Sequence, residues 1–135
     1  MRTLALAISL LIPTFTINSP EQGTRFPENV SMVQLIATPE KFDGKMVAVI
    51  GFLRLEFEGN ELYLHEDDYK NAISKNGIWV GTREVKWDAD KLNMHYVLLV
   101  GTFNASNKGH MSAASASISA IGASIWPRIH DQSSE

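Results

Sequence analysis

The chain has 135 residues, of which 44% are apolar and 20% charged, with a formal net charge of −3 and no cysteine. That composition gives room for one ordinary globular domain held together by its core, and it excludes disulfide-stapled and intrinsically disordered architectures. The acidic balance argues against a nucleic-acid partner, whose affinity rests on Lys/Arg clusters.

Residues 1–19, MRTLALAISLLIPTFTINS, place one positive charge (Arg2) before an apolar run from Leu4 to Ile12, a break at Pro13 and then small or polar residues. This is the order of a secretory signal peptide, and the run is shorter than the roughly 20 residues of a bilayer span. The expectation is a removed leader, a secreted or periplasmic location, a formal charge of −4 for what remains, and no membrane association after cleavage. Thr14 with Thr16, or Ile17 with Ser19, could flank the cut. The missing cysteine excludes a lipoprotein anchor. Residues 20–29, polar with Pro and Gly, read as a flexible N-terminal arm, 30–127 as the folded domain and 128–135 as a disordered tail.

Ser31 and Gln34 make an S-x-x-Q capping box, and Met32, Leu35 and Ile36 follow at helical spacing until Pro39 stops the element. One short helix is expected, then a tight turn at Asp43-Gly44. In the strand that follows, Val47, Val49, Gly51, Leu53, Leu55 and Phe57 share one face. Met46, Ala48, Ile50 and Phe52 begin the other, which Arg54, Glu56 and Glu58 finish. One face is thus apolar throughout, and the other is covered at its start and wet at its end. Gly51, at the changeover, is the residue expected at a bulge or sharp bend.

Glu58 to Glu61 reads as a turn, and Glu61 to His65 as the returning strand of a hairpin. Glu66 to Gly77, acidic first and basic late, suits a short helix. Ile78 to Gly81 is a third strand, and Thr82 to Met94 has no clear pattern beyond Trp87 and Leu92 as anchors. His95 to Ala105 echoes the first strand: VLLVGT aligns with VAVIGF, glycine on glycine, as if two strands bent around one core. NASNKGH is a loop. MSAASASISAIGASIWP is a last strand whose small side chains imply close approach by a neighbour, closing a barrel. The fold expected is mainly β, an OB-fold-like five-stranded small barrel with one or two short helices.

In its wording, PEKFDGKMVAVIGFLRLEFEGNELYLHEDDY together with VLLVGTFNASNKGHM resembles a family of uncharacterised, mostly bacterial exported small-barrel proteins with the pattern D-G-K-x-V-x-V-x-G-F-L, L-E-F-E-G-N-x-L-Y-L and E-G-T-F-N-A-x-x-K-G-H. The resemblance spans residues 30 to about 112, with Val100 standing where the pattern has an acidic residue. It implies the barrel and no particular activity.

Several residues are candidates for chemistry. His65-Glu66-Asp67-Asp68 groups four titratable side chains, yet it lacks the alternating donors and glycine of a calcium loop, and His95 and His110 are remote in sequence. The plainer reading is a hairpin end feeding an acidic helix start. Asn107, Lys108 and His110 either present donors to an anionic group or form a turn in which Gly109 supplies a positive φ. Tyr63, Trp79 and Phe103 either share an outer face of stacking aromatics or serve packing. Asn29-Val30-Ser31 and Asn104-Ala105-Ser106 are glycosylation sequons in a eukaryotic source only. There is no G-x-S-x-G, and Ser112, Ser115, Ser117 and Ser119 have no neighbouring base.

The reading is an exported non-catalytic binding module for a protein or a small polar ligand, with Tyr63, His65, Trp79, Lys108 and His110 as candidate contacts. No metal or other cofactor is expected, and the oligomeric state is open. One alternative is a weak enzyme or hydrolase accessory using His65 with Asp67 or Asp68, or His110. Another is oligonucleotide binding by fold analogy alone.

Overall fold

The computed structural model describes residues 26–57, 59–82 and 86–127. The expected leader, most of the expected arm and the expected tail lie outside these residues. Strand β1 (Glu28–Val30) leads into α1 (Met32–Ala37). The helix starts where the sequence says it should: Gln34 N–H donates to Ser31 Oγ at 3.2 Å, and Ser31 N–H donates to Gln34 Oε1 at 2.9 Å. This reciprocal pair satisfies two donors that a helix start leaves bare. Pro39 opens a 3₁₀ turn, and Gly44, at φ +73°, makes the corner into β2 (Met46–Arg54).

The remaining elements are β3 (Glu61–Tyr63), α2 (Glu66–Lys70), β4 (Gly77–Gly81), α3 (Ala89–Leu92), β5 (His95–Asn104) and β6 (Ser117–Ile125). Hydrogen bonding runs β2–β3–β4–β6–β5 and returns to β2, so five strands close a barrel. All its pairings are antiparallel except β4–β6. The sixth strand, β1, runs parallel to β2 along Val47–Val49, on the edge that β3 takes over at Phe52–Arg54. The segment expected to be a free arm therefore contributes Glu28 and Asn29 to the sheet.

Alternation along β2 and β5 fills the barrel. Val47, Val49, Leu53, Val97, Leu99 and Phe103 point inward and are inaccessible to solvent, joined by Leu62, Ile78, Val80 and Ile118. Met32 and Leu35 of α1 and Leu92 of α3 complete this core. The covered half of β2's second face is also found: Phe52 is buried against Tyr69 of α2 and Tyr96 of β5, with ring centroids 6.1 and 5.5 Å away.

Two expectations about aromatics are corrected. Phe103 belongs to the core, not to an outer face, because it keeps the inward parity of Val97 and Leu99. Phe57 does not continue the apolar face of β2 and is fully exposed. Beyond Arg54 the backbone donors turn to side chains, Leu55 N–H to Asn93 Oδ1 (2.9 Å) and Glu56 N–H to Asn60 Oδ1 (3.1 Å), so the strand stops there.

The two mid-strand glycines lie in the closed barrel for different reasons. The β2–β5 ladder passes Gly51 without a break; what Gly51 provides is room for β3, since a β-carbon would overlap Leu62 and the Tyr63 carbonyl. At Gly101 the register against β6 shifts, Val100 facing Gly122 and Gly101 facing Ala120, which leaves Ile121 as the extra residue of a bulge. A side chain at Gly101 would run into Ser119 and Ile118. Close approach by the small-residue strand β6 is thus what closes the barrel, although β6 begins at Ser117, later than the composition suggests.

Candidate functional site

Two concave surfaces carry the candidate residues. The first is a polar cleft of about 350 Å³ where β4, β6 and the β5–β6 loop meet, lined by Trp79, Gly81, Asn107, Ser117 and Ser119. Parallel pairing sets Trp79 beside Ser117 and Gly81 beside Ser119. The loop is shaped by its own asparagines: Asn104 Oδ1 accepts from the N–H groups of Ser106 (3.0 Å) and Asn107 (2.9 Å), and Asn107 Oδ1 accepts from Gly109 N–H at 3.1 Å. With its oxygen engaged, Asn107 has its amide NH₂ to present to the cleft. Gly109 has φ +69°, and its backbone lies against the Trp79 indole so closely that a β-carbon would overlap the ring. The positive φ foreseen for Gly109 is present, and it serves to seat the loop on Trp79. Lys108 and His110, on either side, are exposed.

Beside the cleft, Glu61 stands directly across the β3–β4 ladder from Trp79. Its Oε2 accepts from the Tyr63 hydroxyl at 2.7 Å, and the carboxylate lies over Gly77, which has no side chain to displace it. Glu61 Oε1 is buried with no hydrogen-bond partner among the described residues. Burial pushes the Glu61 carboxyl above its ordinary range, the Tyr63 hydrogen bond pulls it back in part, and the nearby Glu56 charge adds to the rise. The Tyr63 hydroxyl is pushed up too, first by burial and then by Glu61. Tyr63 itself is buried, so it orients Glu61 and is not an exposed stacking platform.

The second surface is an apolar groove of about 670 Å³ on the outside of β2 and β5. Ile50 and Leu98, opposite each other in the β2–β5 register, form its floor. Ala48, Val30, Met32, Leu64, Tyr96 and Trp126 surround them, with Asn29, Ser31 and His65 at the rim. The five candidate contacts therefore divide. Trp79 lines the cleft, Lys108 and His110 flank the loop residues that seat on it, Tyr63 supports it through Glu61, and His65 belongs to the groove.

His65 and its acidic neighbours serve the start of α2. Asp68 is buried, with Oδ2 accepting His65 N–H at 3.0 Å and Oδ1 accepting from Asn76 Nδ2 at 2.8 Å, so both oxygens are engaged structurally. Asp67 is exposed on α2. Among the described residues no group of three or more His, Asp or Glu is placed to hold a metal.

Sequence reasoning passed over Ser119, Gly81 and Glu61 for the cleft, and Ile50, Leu98 and Trp126 for the groove. For the groove a signal existed: Ala48 and Ile50 on β2, and Leu98 and Val100 on β5, are apolar on the face turned away from the core. For Glu61 there was none, because its environment comes from β4.

No family model matches the sequence, and no curated protein matches it. Solved structures do resemble the fold. A structure of the S. pombe Stn1-ten1 complex superposes with a TM-score of 0.51 at 10% identity, over 76% of this chain and 79% of that one. A DUF3299 family protein from Pseudomonas aeruginosa PAO1 superposes with a TM-score of 0.53 at 14% identity, over 76% of this chain and 98% of that one. At such identities the likeness is one of fold. The chain is an OB-fold-like barrel of five strands with one strand added at the edge of β2.

Proposed function

We propose that this barrel is a non-catalytic binding module and that the cleft beside Trp79 takes a small polar ligand. The observation that carries this reading is the convergence of an indole, the Asn107 amide and the Ser117 and Ser119 hydroxyls on one concavity of about 350 Å³. Ligand sites are commonly an apolar or aromatic wall with a few placed polar groups, in volumes of this order. The loop holding Asn107 is braced on Trp79 through Gly109, so the site is formed in advance of its ligand. Among the described residues no Lys or Arg lines the cleft, which weighs against an oligonucleotide. His65 and His110 occupy different surfaces, which weighs against a catalytic pair.

The test is a titration of the ¹⁵N-labelled chain with monosaccharides, nucleotides and amino acids, following the Trp79 indole N–H. One class should shift Trp79 and Asn107 together, and Trp79→Ala should weaken that binding by about tenfold, the loss of ~1–2 kcal/mol of aromatic contact. Silence from every class, or binding unchanged in Trp79→Ala, would remove the reading. The same proposal takes residues 1–19 as a leader lost on export; N-terminal sequencing of the secreted form should find Met1 gone, and an intact Met1 there would contradict it.

A further inference from the structure

We propose that the ligand of the cleft beside Trp79 is an uncharged sugar ring; this rests on the cleft being the ligand site, as read above.

The hollow follows from one missing side chain. Along β4, Ile78 and Val80 are buried in the core, so Trp79 and Gly81 belong to the outer face. Along β6 the same alternation, with Ile118 and Ala120 buried, places Ser117 and Ser119 on that face, beside Trp79 and Gly81 in the parallel ladder. Of these neighbours Gly81 alone lacks a side chain, which leaves space between the indole and Ser119. A β-carbon at Gly81 would make only ordinary contacts, with the Ile118 carbonyl oxygen at 3.6 Å and Ser119 Cα at 3.8 Å. The fold does not require glycine at this position, and the hollow does.

The groups that line the hollow select its ligand. Ser117 is only 4% exposed, and its hydroxyl makes no hydrogen bond within the described residues. A buried hydroxyl without a partner costs free energy, so this one is left for whatever enters the cleft. Hydroxyls donate and accept alike, as those of a sugar do. Asn107 Oδ1 is turned to Gly109 N–H, so the amide offers its NH₂. A nucleobase is read by the donor and acceptor of one amide together, a pairing that Asn107 in this arrangement does not present. Among the described residues lining the cleft none is ionisable. A phosphate, a carboxylate or the two charges of a free amino acid would lose water there with nothing to pair them. A neutral sugar carries no such charge. Its C–H face suits the Trp79 wall, and its hydroxyls suit Ser117, Ser119 and the Asn107 amide, the combination expected of a small-molecule site. An uncharged lining alone would admit any neutral molecule; the concentration of hydroxyl partners beside an indole singles out a polyol ring.

The test is a titration of the ¹⁵N-labelled full chain with the methyl glycosides of glucose, galactose, mannose and N-acetylglucosamine, with nucleosides, nucleotides and amino acids in parallel. A glycoside should shift the Trp79 indole and the Asn107 amide together, with an affinity unmoved by about 0.5 M salt. The matching uronic acid should bind about tenfold or more weakly. Gly81→Val, which fills the hollow, should weaken glycoside binding by about tenfold or more, and Ser117→Ala by about fivefold. Ser117→Ala should also leave thermal unfolding of the unliganded chain unchanged, since no internal hydrogen bond is lost. Tighter binding of a trisaccharide of the same sugar assigns the ring to the end of a glycan, and equal or weaker binding to a free sugar. Shifts from a nucleoside or an amino acid, with none from any glycoside, would overturn the sugar and keep the cleft as the ligand site. Silence from every class would overturn both. Glycoside binding indifferent to Gly81→Val and Ser117→Ala would put the sugar elsewhere and overturn the proposal.

Discussion

On β6 the cleft takes the hydroxyl-bearing Ser117 and Ser119 along with Ile118 and Ala120, while on β2 and β5 the residues beneath the groove are Ala48, Ile50 and Leu98. Both surfaces lie on the outside of one barrel, and their inward neighbours, Ile118 on one side and Val49 and Leu99 on the other, are equally buried. The difference is in what braces each surface. The cleft is held by the Asn104–Gly109 loop, which its own asparagines shape and which is tied down at two points, Ala105 N–H donating to Asp43 Oδ1 at 2.9 Å and Gly109 lying against the Trp79 indole. The groove is held by β1 and the capped start of α1, which are tied into the sheet backbone. A polar site made by a loop and an apolar site made by sheet and helix should respond separately to substitution, except where one element supports both.

That exception gives the largest expected effect. Gly101 sits where β5 meets β6 and underlies both surfaces. Gly101→Val would press into Ser119 and Ile118, costing ~3 kcal/mol or more, and denaturant unfolding should show it together with loss of both surfaces. Gly109→Ala addresses the cleft alone: a positive φ and the overlap with Trp79 should cost ~1–2 kcal/mol and displace Asn107, with the groove resonances unmoved. Ser31→Ala addresses the groove alone, removing the α1 cap for ~1 kcal/mol in thermal unfolding and leaving Trp79 as it was.

The smallest effect is set by pH. Because the Glu61 carboxyl is raised in the folded chain, the folded state binds the proton more tightly than the unfolded state. Stability associated with this group is therefore full below the ordinary carboxylate pKa and is lost as pH rises through the elevated folded value. Glu61→Gln should match the wild type in acid and melt slightly higher at neutral pH. An equal shift at every pH would place the effect outside the ionisation of Glu61.

Much of the barrel was legible because it is written in parity and in glycine. Ser31 with Gln34, Asp43-Gly44 and Gly101 each gave the local structure observed, whereas Gly51 makes room for β3 with no break in the β2–β5 ladder where a bulge or bend was expected. Counting by twos from Val97 would also have put Phe103 inside. Strand β1 was not legible: three residues pair with a strand some nineteen positions away, and only tertiary contact makes Glu28 and Asn29 part of a sheet. The end of β2 was hidden for a similar reason, since it depends on Asn93 reaching across to Leu55 N–H. Of the candidate contacts, Trp79 was named from its type and strand position, and the structure places it at the cleft. That His65 would face a different surface, and that Tyr63 would act through Glu61, follows from how β3 and α2 pack, which no local pattern encodes.

The most direct measurement is a ¹⁵N–¹H titration of the chain with the polar ligand class that binds it, reading both surfaces in one experiment. The prediction is coherent shifts at the Trp79 indole, Asn107 and Ser119, with Ile50 and Leu98 unmoved. Shifts centred on Ile50, Leu98 and Trp126, with Trp79 silent, would contradict the assignment of the cleft as the ligand site.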